Sequence, residues 1–323
     1  MERFKVVITD HEYESVEQER RILEHAGAEV VDCQLKTAEQ VVAAGRDADA
    51  LIVQFAPITR QVIEQLPRCK IIAKYSTGID GVDVQAATEH GIFVTNVSDY
   101  CKEEVSNQAL ALLLMLSRRI PQYTSYVQSG AWYGKPWQYN RLKDETVGVI
   151  SFGKIARKFV EKLKPICDNI WVYDAFVAPE EIAAAGVVPK SLDEIIAGAD
   201  YISIHCPLTR DTYHMFNRAA FARMKPNAAI INVARGGLVD HGDLLWAIEN
   251  RVIRAAALDV LECEPPSRED PLLGHENIII TPHMGWYSTH AQQVLQSTPA
   301  EEVARVLRGG VPCNLVNPEL LKA

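Results

Sequence analysis

The sequence predicts an α/β protein made of two doubly wound parallel sheets. Short apolar segments alternate with helical patterns along the chain, and they do so in two successive series. A long helical pattern separates the two series. The 323 residues, 48% of them hydrophobic, are enough for two separate cores. We therefore expect each series to form one parallel sheet with helices on both of its faces.

The first series runs from Phe4 to about Thr95. Its expected strands are 4–9, 29–33, 50–53, 71–74 and 92–94, and its expected helices are 16–26, 38–44, 61–66 and 84–90. Open α/β sheets bind ligands at the carboxyl ends of their strands. The candidate ligand loops of this domain are therefore 10–12, 54–57 and 76–80.

One unusually long helical pattern follows, from Glu103 to about Ser129, and we expect a single linker helix that crosses between domains. The next loop, 130–141, contains four large aromatic residues: Trp132, Tyr133, Trp137 and Tyr139. Such a cluster forms either a satellite core or a dimer contact. Aromatic enrichment favours the dimer contact modestly.

The second series has expected strands at 147–150, 170–173, 187–188, 200–204, 228–233, 255–258 and 278–280. The chain becomes helical again over about 288–307, and a second long helix is expected if the chain returns to complete the first domain. The predicted boundaries are therefore 1–101 with 286–323 for one domain and 102–285 for the other.

A glycine-containing turn follows the first strand of this series, in the order Ser151-Phe152-Gly153-Lys154-Ile155-Ala156. A helix N-terminus presents unpaired N–H groups, and Gly153 lets a pyrophosphate approach them closely. The dinucleotide fingerprint G-x-G-x-x-G/A has Ser151 in its first glycine position. A serine there must adopt the tight turn with a Cβ atom present, which bears on cofactor affinity.

Asp174 ends the next apolar strand, twenty-one residues after Gly153. The fingerprint has an acid at this point to accept hydrogen bonds from the adenosine ribose. Its charge would repel the extra phosphate of NADP, and no Arg or Lys follows within 175–177. The predicted cofactor is NAD, which makes 102–285 the NAD-binding domain and the remainder the substrate domain.

Composition narrows the class of protein further. The formal net charge of −9 and the absence of a basic cluster interleaved with aromatics argue against nucleic-acid binding. The longest apolar run, 109–116, is too short to cross a bilayer, and no secretory segment opens the chain. Seven cysteines are scattered singly, as in reducing compartments. We expect a cytoplasmic protein that binds no membrane and, from the ligand spacing, no metal.

Three residues at strand ends are candidates for chemistry. Arg235 lies between an apolar strand and two glycines, where its planar fork has room to bind a carboxylate, although most arginines in turns are surface residues. His283 follows an apolar strand at the predicted domain crossover and suits acid–base work. Glu264 is placed to hold its ring. Glu262, Asp259 and Glu264 itself could also be structural, since spacing does not show contact.

The chain resembles the D-isomer-specific 2-hydroxyacid dehydrogenases over nearly its whole length. The resemblance rests on the motifs 76–80, 149–156, 205–209, 232–240, 257–260 with 264–265, and 281–283, in that order. Segment 283–288 is most similar to the C-terminal binding proteins and their bacterial dehydrogenase relatives, and D-3-phosphoglycerate dehydrogenases belong to the same family. The resemblance implies a discontinuous flavodoxin-like substrate domain and an inserted Rossmann NAD-binding domain.

The same resemblance implies roles for individual residues. Arg235 would bind the substrate carboxylate and carbonyl, Glu264 would orient His283, and His283 would protonate the 2-oxo group as NADH delivers hydride. The carboxylate site would be completed by Ser76, Thr77 and Gly78, with Trp286 in the substrate pocket. The implied cofactor contacts are Thr77, Ser151, Phe152, Gly153, Lys154, Ile155, Asp174, Cys206, Pro207, Thr212, Val233, Ala234, Arg235, Asp259, His283 and Gly285.

We therefore expect a homodimeric, NAD-dependent oxidoreductase that interconverts a D-2-hydroxy acid and a 2-oxo acid. One alternative is an NADH-sensing interaction protein of the C-terminal binding protein kind, in which a partner docks on the first domain. Another is a D-3-phosphoglycerate dehydrogenase of serine synthesis, whose substrate phosphate would need cations. The candidate cations are Lys74, Lys102 and Lys135, whereas loop 54–57 is neutral. The sequence does not name the 2-oxo acid.

Overall fold

A computed structural model describes residues 3–134 and 137–321. The chain separates into two compact units, which we call unit 1 (Met1–Tyr100 with Ser288–Ala323) and unit 2 (Cys101–Tyr287). Each unit contains one sheet, and all the strand pairs of both sheets in the described residues are parallel. The predicted fold class is confirmed. The functional roles given to the two domains stay predictions at this point.

Unit 1 has a five-stranded sheet in the order β2-β1-β3-β4-β5, which is the flavodoxin-like order. Its strands are β1 (Phe4–Ile8), β2 (Ala28–Asp32), β3 (Ala50–Val53), β4 (Ile71–Lys74) and β5 (Phe93–Thr95). Its helices before the chain leaves the unit are α1 (Glu17–His25), α2 (Ala38–Gly45), α3 (Arg60–Ile63) and α4 (Val84–Glu89). β3 and β4 are buried at every residue, because helices cover both faces of the sheet.

The C-terminal segment completes unit 1 through α12 (Thr289–Leu307) and a 3-10 turn at Pro318–Leu321. Buried residues of α12 join the hydrophobic cluster formed by β1, β3 and β4. A buried polar link reinforces this packing: Glu19 of α1 accepts hydrogen bonds from the Tyr75 hydroxyl (2.8 Å) and from Gln296 Nε2 of α12 (3.1 Å). The helix therefore belongs to the core of unit 1.

Unit 2 has a seven-stranded sheet in the order β12-β11-β10-β9-β6-β7-β8. Its strands are β6 (Thr146–Ile150), β7 (Asn169–Tyr173), β8 (Val188–Pro189), β9 (Tyr201–Ile204), β10 (Ala229–Asn232), β11 (Ala255–Leu258) and β12 (Ile278–Ile280). Its helices are α5 (Lys102–Arg118), α6 (Ile120–Gln128), α7 (Lys154–Leu163), α8 (Pro179–Ala184), α9 (Leu192–Gly198), α10 (Arg218–Phe221) and α11 (His241–Glu249). The first strand of this unit, β6, lies inside the sheet. The chain adds β7 and β8 on one side of β6 and then β9 to β12 on its other side, so the strand order reverses between β6 and β9. Sheets of this kind bind ligands at such a switch point.

The prediction of a single helix over 103–129 is wrong, because the helix is interrupted at one residue. α5 ends at Arg118 and α6 begins at Ile120, with Arg119 in the left-handed region at φ 51°. Pro121 explains the break, because its ring would clash with the carbonyl of residue 117 in a continuous helix. Proline is tolerated where it now lies, in the first turn of α6.

The aromatic loop after α6 divides into two parts. The Trp137 ring contacts Tyr123 and Tyr126 of α6 edge-on, with ring centroids 5.0 Å and 6.0 Å apart, and Tyr139 also meets Tyr123. These residues form a small satellite core. Trp132 and Tyr133 are 73% and 89% exposed. No helix of the described ranges is long and apolar enough to cross a membrane.

Candidate active site

The turn after β6 has the shape that a dinucleotide requires. Gly153 caps the N-terminus of α7, and a Cβ atom built on it would meet nothing within 4 Å. Open space therefore lies in front of the first N–H groups of the helix, where a pyrophosphate binds. Ser151 takes up the turn at φ 81°, a conformation that favours glycine. The turn fits the predicted cofactor despite the serine.

Asp174 follows β7 and faces this turn. One carboxylate oxygen accepts the Phe152 N–H (2.7 Å) and the Ser151 hydroxyl (3.1 Å). The other accepts the N–H groups of Phe176 (2.7 Å) and Val177 (3.0 Å). Burial raises the pKa of Asp174, but these bonds outweigh it and lower the pKa overall. A carboxylate has about four acceptor positions, and these four donors use them, so ribose hydroxyls would have to compete with the protein's own donors for this acid.

Serine at the first fingerprint position therefore has a compensating contact. The strain of its positive φ is accompanied by a hydrogen bond to Asp174. Phe152, by contrast, has its ring 1% exposed in the core, with the Arg157 guanidinium 4.1 Å from the ring centroid. The backbone N–H of Phe152, and not its side chain, therefore lies at the turn.

Asp259, at the end of β11, shapes the loop that carries His283. Its carboxylate accepts the N–H groups of Gly285 (2.8 Å) and Met284 (3.2 Å) and the Thr281 hydroxyl (2.5 Å). Its backbone carbonyl accepts the His283 N–H at 2.7 Å. Burial raises the pKa of Asp259 in spite of these bonds. A Cβ atom on Gly285 would lie 2.8 Å from the carboxylate, so glycine is required for this fit.

The structure brings His283 and Glu264 into direct contact. His283 Nδ1 lies 2.7 Å from Glu264 Oε2, and the other oxygen of Glu264 accepts the Leu261 N–H at 2.8 Å. Burial raises the pKa of Glu264, but the hydrogen bonds from His283 and Leu261 and the charges of His283 and Arg235 lower it overall. The His283 side chain is 44% exposed, and within the described residues its Nε2 meets no protein group. That nitrogen is available to a ligand.

Arg235 lies at the same edge of the sheet, one turn after β10. Asn232 shapes this turn by accepting the Ala234 N–H (3.1 Å) and donating to the Arg235 carbonyl (2.8 Å). A Cβ atom on Gly236 would lie 2.0 Å from the Leu261 carbonyl, so the Arg235 turn rests on the backbone that leads to Glu264. Arg235 Nη1 donates to the Ala234 carbonyl at 2.8 Å.

The remaining cofactor candidates of unit 2 follow β9, β10 and β12. The Thr212 hydroxyl donates to the Pro207 carbonyl at 2.8 Å and closes loop 207–212, while burial raises the pKa of Cys206 to about 11. Val233 and Ala234 directly follow β10, and Trp286 is half-buried with its ring edge-on to Tyr287. Two further side chains lie beside the loop that carries His283: Gln108 Nε2 of α5 donates to the Thr281 hydroxyl at 3.0 Å.

Unit 1 holds the predicted carboxylate segment at the end of β4. The Ser76 hydroxyl donates to the Gly78 carbonyl (2.5 Å), and the Thr77 hydroxyl donates to the Val97 carbonyl (2.8 Å). Asn96 Nδ2 donates to the Thr77 carbonyl at 2.7 Å. Among the described residues, the N–H groups of Thr77 and Gly78 donate to no protein acceptor. Hydrogen bonds therefore hold this segment in place, while the N–H groups of Thr77 and Gly78 have no protein acceptor among the described residues.

The neighbouring loop 54–57 of unit 1 is also held from within. Asp10, at the end of β1, accepts the N–H groups of Phe55 (2.5 Å), Ala56 (3.1 Å) and Gln54 (3.2 Å). Lys74 is 4% exposed and donates to the Gln54 carbonyl at 2.6 Å. Phe55 is 66% exposed. In the described residues, no three His, Cys, Asp or Glu side chains are grouped to hold a metal ion.

Known proteins resemble this chain in sequence and in fold. The model of the "D-isomer specific 2-hydroxyacid dehydrogenase, NAD binding domain" family matches residues 110–285, which confirms the predicted cofactor. The D-3-phosphoglycerate dehydrogenase of Methanocaldococcus jannaschii is 39% identical over 97% of this chain and 59% of its own length. That of Rattus norvegicus is 33% identical over 94% of this chain and 57% of its own length. The chain therefore spans little more than half of these relatives.

Solved structures agree over the full length of the fold. The TT0316 protein from Thermus thermophilus is 29% identical with a TM-score of 0.88, covering 97% of this chain and 100% of that one. A D-lactate dehydrogenase from Aquifex aeolicus, complexed with NAD and lactic acid, is 25% identical with a TM-score of 0.85, covering 98% of this chain and 97% of that one.

Proposed function

The chain belongs to the D-isomer specific 2-hydroxyacid dehydrogenase family, and on that premise we propose that it is an NAD-dependent oxidoreductase interconverting a D-2-hydroxy acid and a 2-oxo acid. The observation that carries the proposal is the 2.7 Å contact between His283 and Glu264, at the sheet edge that also holds Arg235. We assign to His283 and Glu264 the role of the acid–base pair, and to Arg235 that of the carboxylate-binding cation, as the resemblance to the family implies.

His283 is assigned the proton transfer. Glu264 accepts a hydrogen bond from Nδ1, which fixes the orientation of the ring, so that Nε2 can give a proton to the 2-oxo group. In the opposite direction the same nitrogen accepts the hydroxyl proton. Bound NADH supplies the hydride.

Arg235 is assigned the substrate carboxylate and carbonyl. Its guanidinium offers paired donors that match a carboxylate, and its charge stabilises negative charge developing on the reacting oxygen. For unit 1 we propose that the N–H groups of Thr77 and Gly78 bind a carboxylate, because neither donates to a backbone acceptor among the described residues. Within unit 1 they are braced by Ser76 and Asn96, which suits donors that must hold a fixed direction.

The side chain of the substrate has two candidate classes. The Gln54-Phe55 loop is neutral, and Lys74 is buried against it, which favours a 2-oxo acid with an uncharged side chain. The two dehydrogenases from Methanocaldococcus jannaschii and Rattus norvegicus are named for D-3-phosphoglycerate, which supports the phosphorylated substrate as the second candidate. Of the other cation candidates, Lys102 begins α5, and Lys135 lies outside the described residues.

A panel of 2-oxo acids tests the proposal directly. NADH oxidation is measured with glyoxylate, hydroxypyruvate, pyruvate, phenylpyruvate, 4-methylthio-2-oxobutyrate and 3-phosphohydroxypyruvate, with NADPH in parallel. We expect NADH-dependent turnover of at least one acid. Binding of NADH without turnover of any would contradict the proposal and support the NADH-sensing alternative.

We also propose a homodimer in a reducing, cytoplasmic compartment. The exposed apolar side chains of α6 and its loop, Ile120, Val127, Trp132 and Tyr133, form a surface suited to a second copy of the chain. All seven cysteines are present as thiols. Sedimentation of wild type and of Trp132→Ser with Tyr133→Ser tests the dimer, which should dissociate in the double variant; a wild-type monomer would contradict it.

A further inference from the structure

A second cluster of titratable side chains lies on unit 2, next to the segment that carries Glu264. His214 contacts Glu262 through Nε2 and Asp240 through Nδ1, the latter at 3.2 Å. Glu262 also accepts the backbone N–H of His241 at 3.1 Å. The side chains of His214, Asp240 and Glu262 are 25%, 30% and 29% exposed. This group, which we call the His214 bridge, has no part in the assignments above.

The His214 ring lies between two carboxylates and against an aromatic ring. Its Nε2 is hydrogen-bonded to Glu262, and its Nδ1 lies 3.2 Å from an Asp240 oxygen. Tyr213 stacks on the His214 ring with centroids 3.9 Å apart. Burial lowers the pKa of the neighbouring His241, while the charges of Glu262, Asp270 and Asp240 act on it in the opposite direction.

The bridge joins three loops that lie far apart in sequence. His214 takes a positive φ of 50°, and its N–H donates to the Gly237 carbonyl at 2.8 Å. Asp240 caps α11 through a bond from the Asp243 N–H at 2.9 Å. Glu262 directly follows Leu261, whose N–H binds Glu264. Through Glu262, the bridge therefore restrains the segment on which Glu264 is mounted.

We propose that His214 is a positioning residue for the acid–base pair. Its ring, held between Asp240 and Glu262, fixes segment 261–264 so that Glu264 meets His283 at hydrogen-bond distance. The proposal rests on the proposed function for its kinetic consequence, whereas its structural consequence can be measured without any substrate.

Magnitudes separate this role from an ordinary surface ion pair. A partly exposed pair contributes about 0–1 kcal/mol to stability, so loss of the bridge should change the thermal unfolding temperature little. A displacement of a reacting group by about 1 Å can slow catalysis on the order of 100-fold. The bridge should therefore affect turnover much more than stability.

Two variants and a matched control test the proposal. Glu262→Gln keeps the shape and an acceptor for the His241 N–H but removes the charge, and His214→Asn tolerates the positive φ while it cannot span both carboxylates. Asp193→Asn removes an exposed ion pair of the same unit, with Arg223 at 2.9 Å, that has no link to segment 261–264.

The structural readout is the low-field proton NMR signal of the hydrogen bond between His283 Nδ1 and Glu264, identified by its absence in His283→Asn. We expect it in wild type and in Asp193→Asn, and we expect it lost or broadened in Glu262→Gln and His214→Asn. In turnover, kcat for the 2-oxo acid should fall about tenfold or more in both variants with the Kd for NADH unchanged. The double variant should lose no more than either single one.

Retention of the signal and of kcat in folded Glu262→Gln and His214→Asn would overturn the proposal, whatever happens to thermal stability. If one variant does not fold, the other decides. If wild type turns over no 2-oxo acid, the proposed function fails while the NMR comparison still decides the role of His214.

Discussion

The loops at the carboxyl edges of the two sheets use their polar side chains differently. In unit 1, Asp10 is occupied by the N–H groups of loop 54–57, and the hydroxyls of Ser76 and Thr77 bind backbone carbonyls. In unit 2, the corresponding edge holds an acid–base pair, His283 with Glu264, beside Arg235. Polar side chains brace the loops at both edges, and unit 2 adds the His283–Glu264 pair, in which the His283 side chain is 44% exposed.

The difference shows that a doubly wound sheet does not by itself decide where chemistry occurs, because reactive groups are added to the fold by its loops. We assign recognition to the braced loops of unit 1, where His11 also contacts Asp32 at 3.0 Å, and proton transfer to the His283–Glu264 pair of unit 2. Substitutions in unit 2 should therefore change the rate or the binding of the charged substrate groups. Substitutions in unit 1 should act on substrate affinity.

Arg235→Lys tests the edge of unit 2 and is expected to have a large effect. Lysine keeps the charge but loses the paired donors, and hydrogen bonds to charged groups contribute about 1.5–3 kcal/mol. We expect kcat/KM for the 2-oxo acid to fall on the order of 10- to 100-fold, with the Kd for NADH unchanged. Steady-state kinetics and a fluorescence titration of NADH measure both. An unchanged kcat/KM would remove Arg235 from the site.

Asp10→Asn tests the carboxyl edge of the unit 1 sheet. The amide cannot accept all the N–H groups of loop 54–57 that the carboxylate accepts, so the loop should loosen. We expect KM for the 2-oxo acid to rise about tenfold or less, with kcat nearly constant, since hydrogen bonds of this kind contribute about 0.5–3 kcal/mol. A fall in kcat at constant KM would break the division between the two edges.

His205 can be compared with His283 within unit 2. It lies at the same edge of the sheet, but burial lowers its pKa so far that it does not take up a proton at neutral pH. Burial lowers its pKa from 6.5 to about 3, next to Phe159 and Ser203. The folded state therefore binds fewer protons than the unfolded state between these values. Stability should be lost as the pH falls below about 6.5, by at most about 1.4 kcal/mol per pH unit from this group.

Denaturant unfolding of wild type and His205→Gln between pH 7 and pH 4 measures this contribution. The variant should show a shallower loss of unfolding free energy toward low pH. Equal slopes would show that His205 is not the group responsible. His25→Gln, at the exposed C-terminal turn of α1, serves as the control.

The smallest effect is expected for Ser151→Gly. Glycine removes the strain at φ 81° but also removes the hydroxyl bond to Asp174, so the two changes oppose each other. We expect the Kd for NADH to change less than about tenfold, and Ser151→Ala, which keeps the strain and loses the bond, to bind more weakly than Ser151→Gly. Isothermal titration compares the three proteins. Tighter binding by the alanine variant would contradict this account of the turn.

The sequence was sufficient for the fold class, and several residues that it proposes for the site lie at one edge of the unit 2 sheet. Arg235, Glu264, His283 and Asp174 all follow apolar strands, and parallel strands bring their carboxyl ends to one edge. Contacts between loops were not predictable, because no periodicity links Asp10 to residue 55 or His214 to Glu262. The break at Arg119 was readable from Pro121, but the surrounding helical pattern outweighed it.

The central claim is that His283, held by Glu264, supplies the proton for reduction of the 2-oxo acid. Single-turnover oxidation of enzyme-bound NADH by the preferred acid, compared between wild type and His283→Asn, tests it most directly; asparagine suits the φ of 50° at this position. The account predicts a step slowed about 100- to 10,000-fold, with the Kd for NADH unchanged. An unchanged rate in a folded, NADH-binding variant would contradict it.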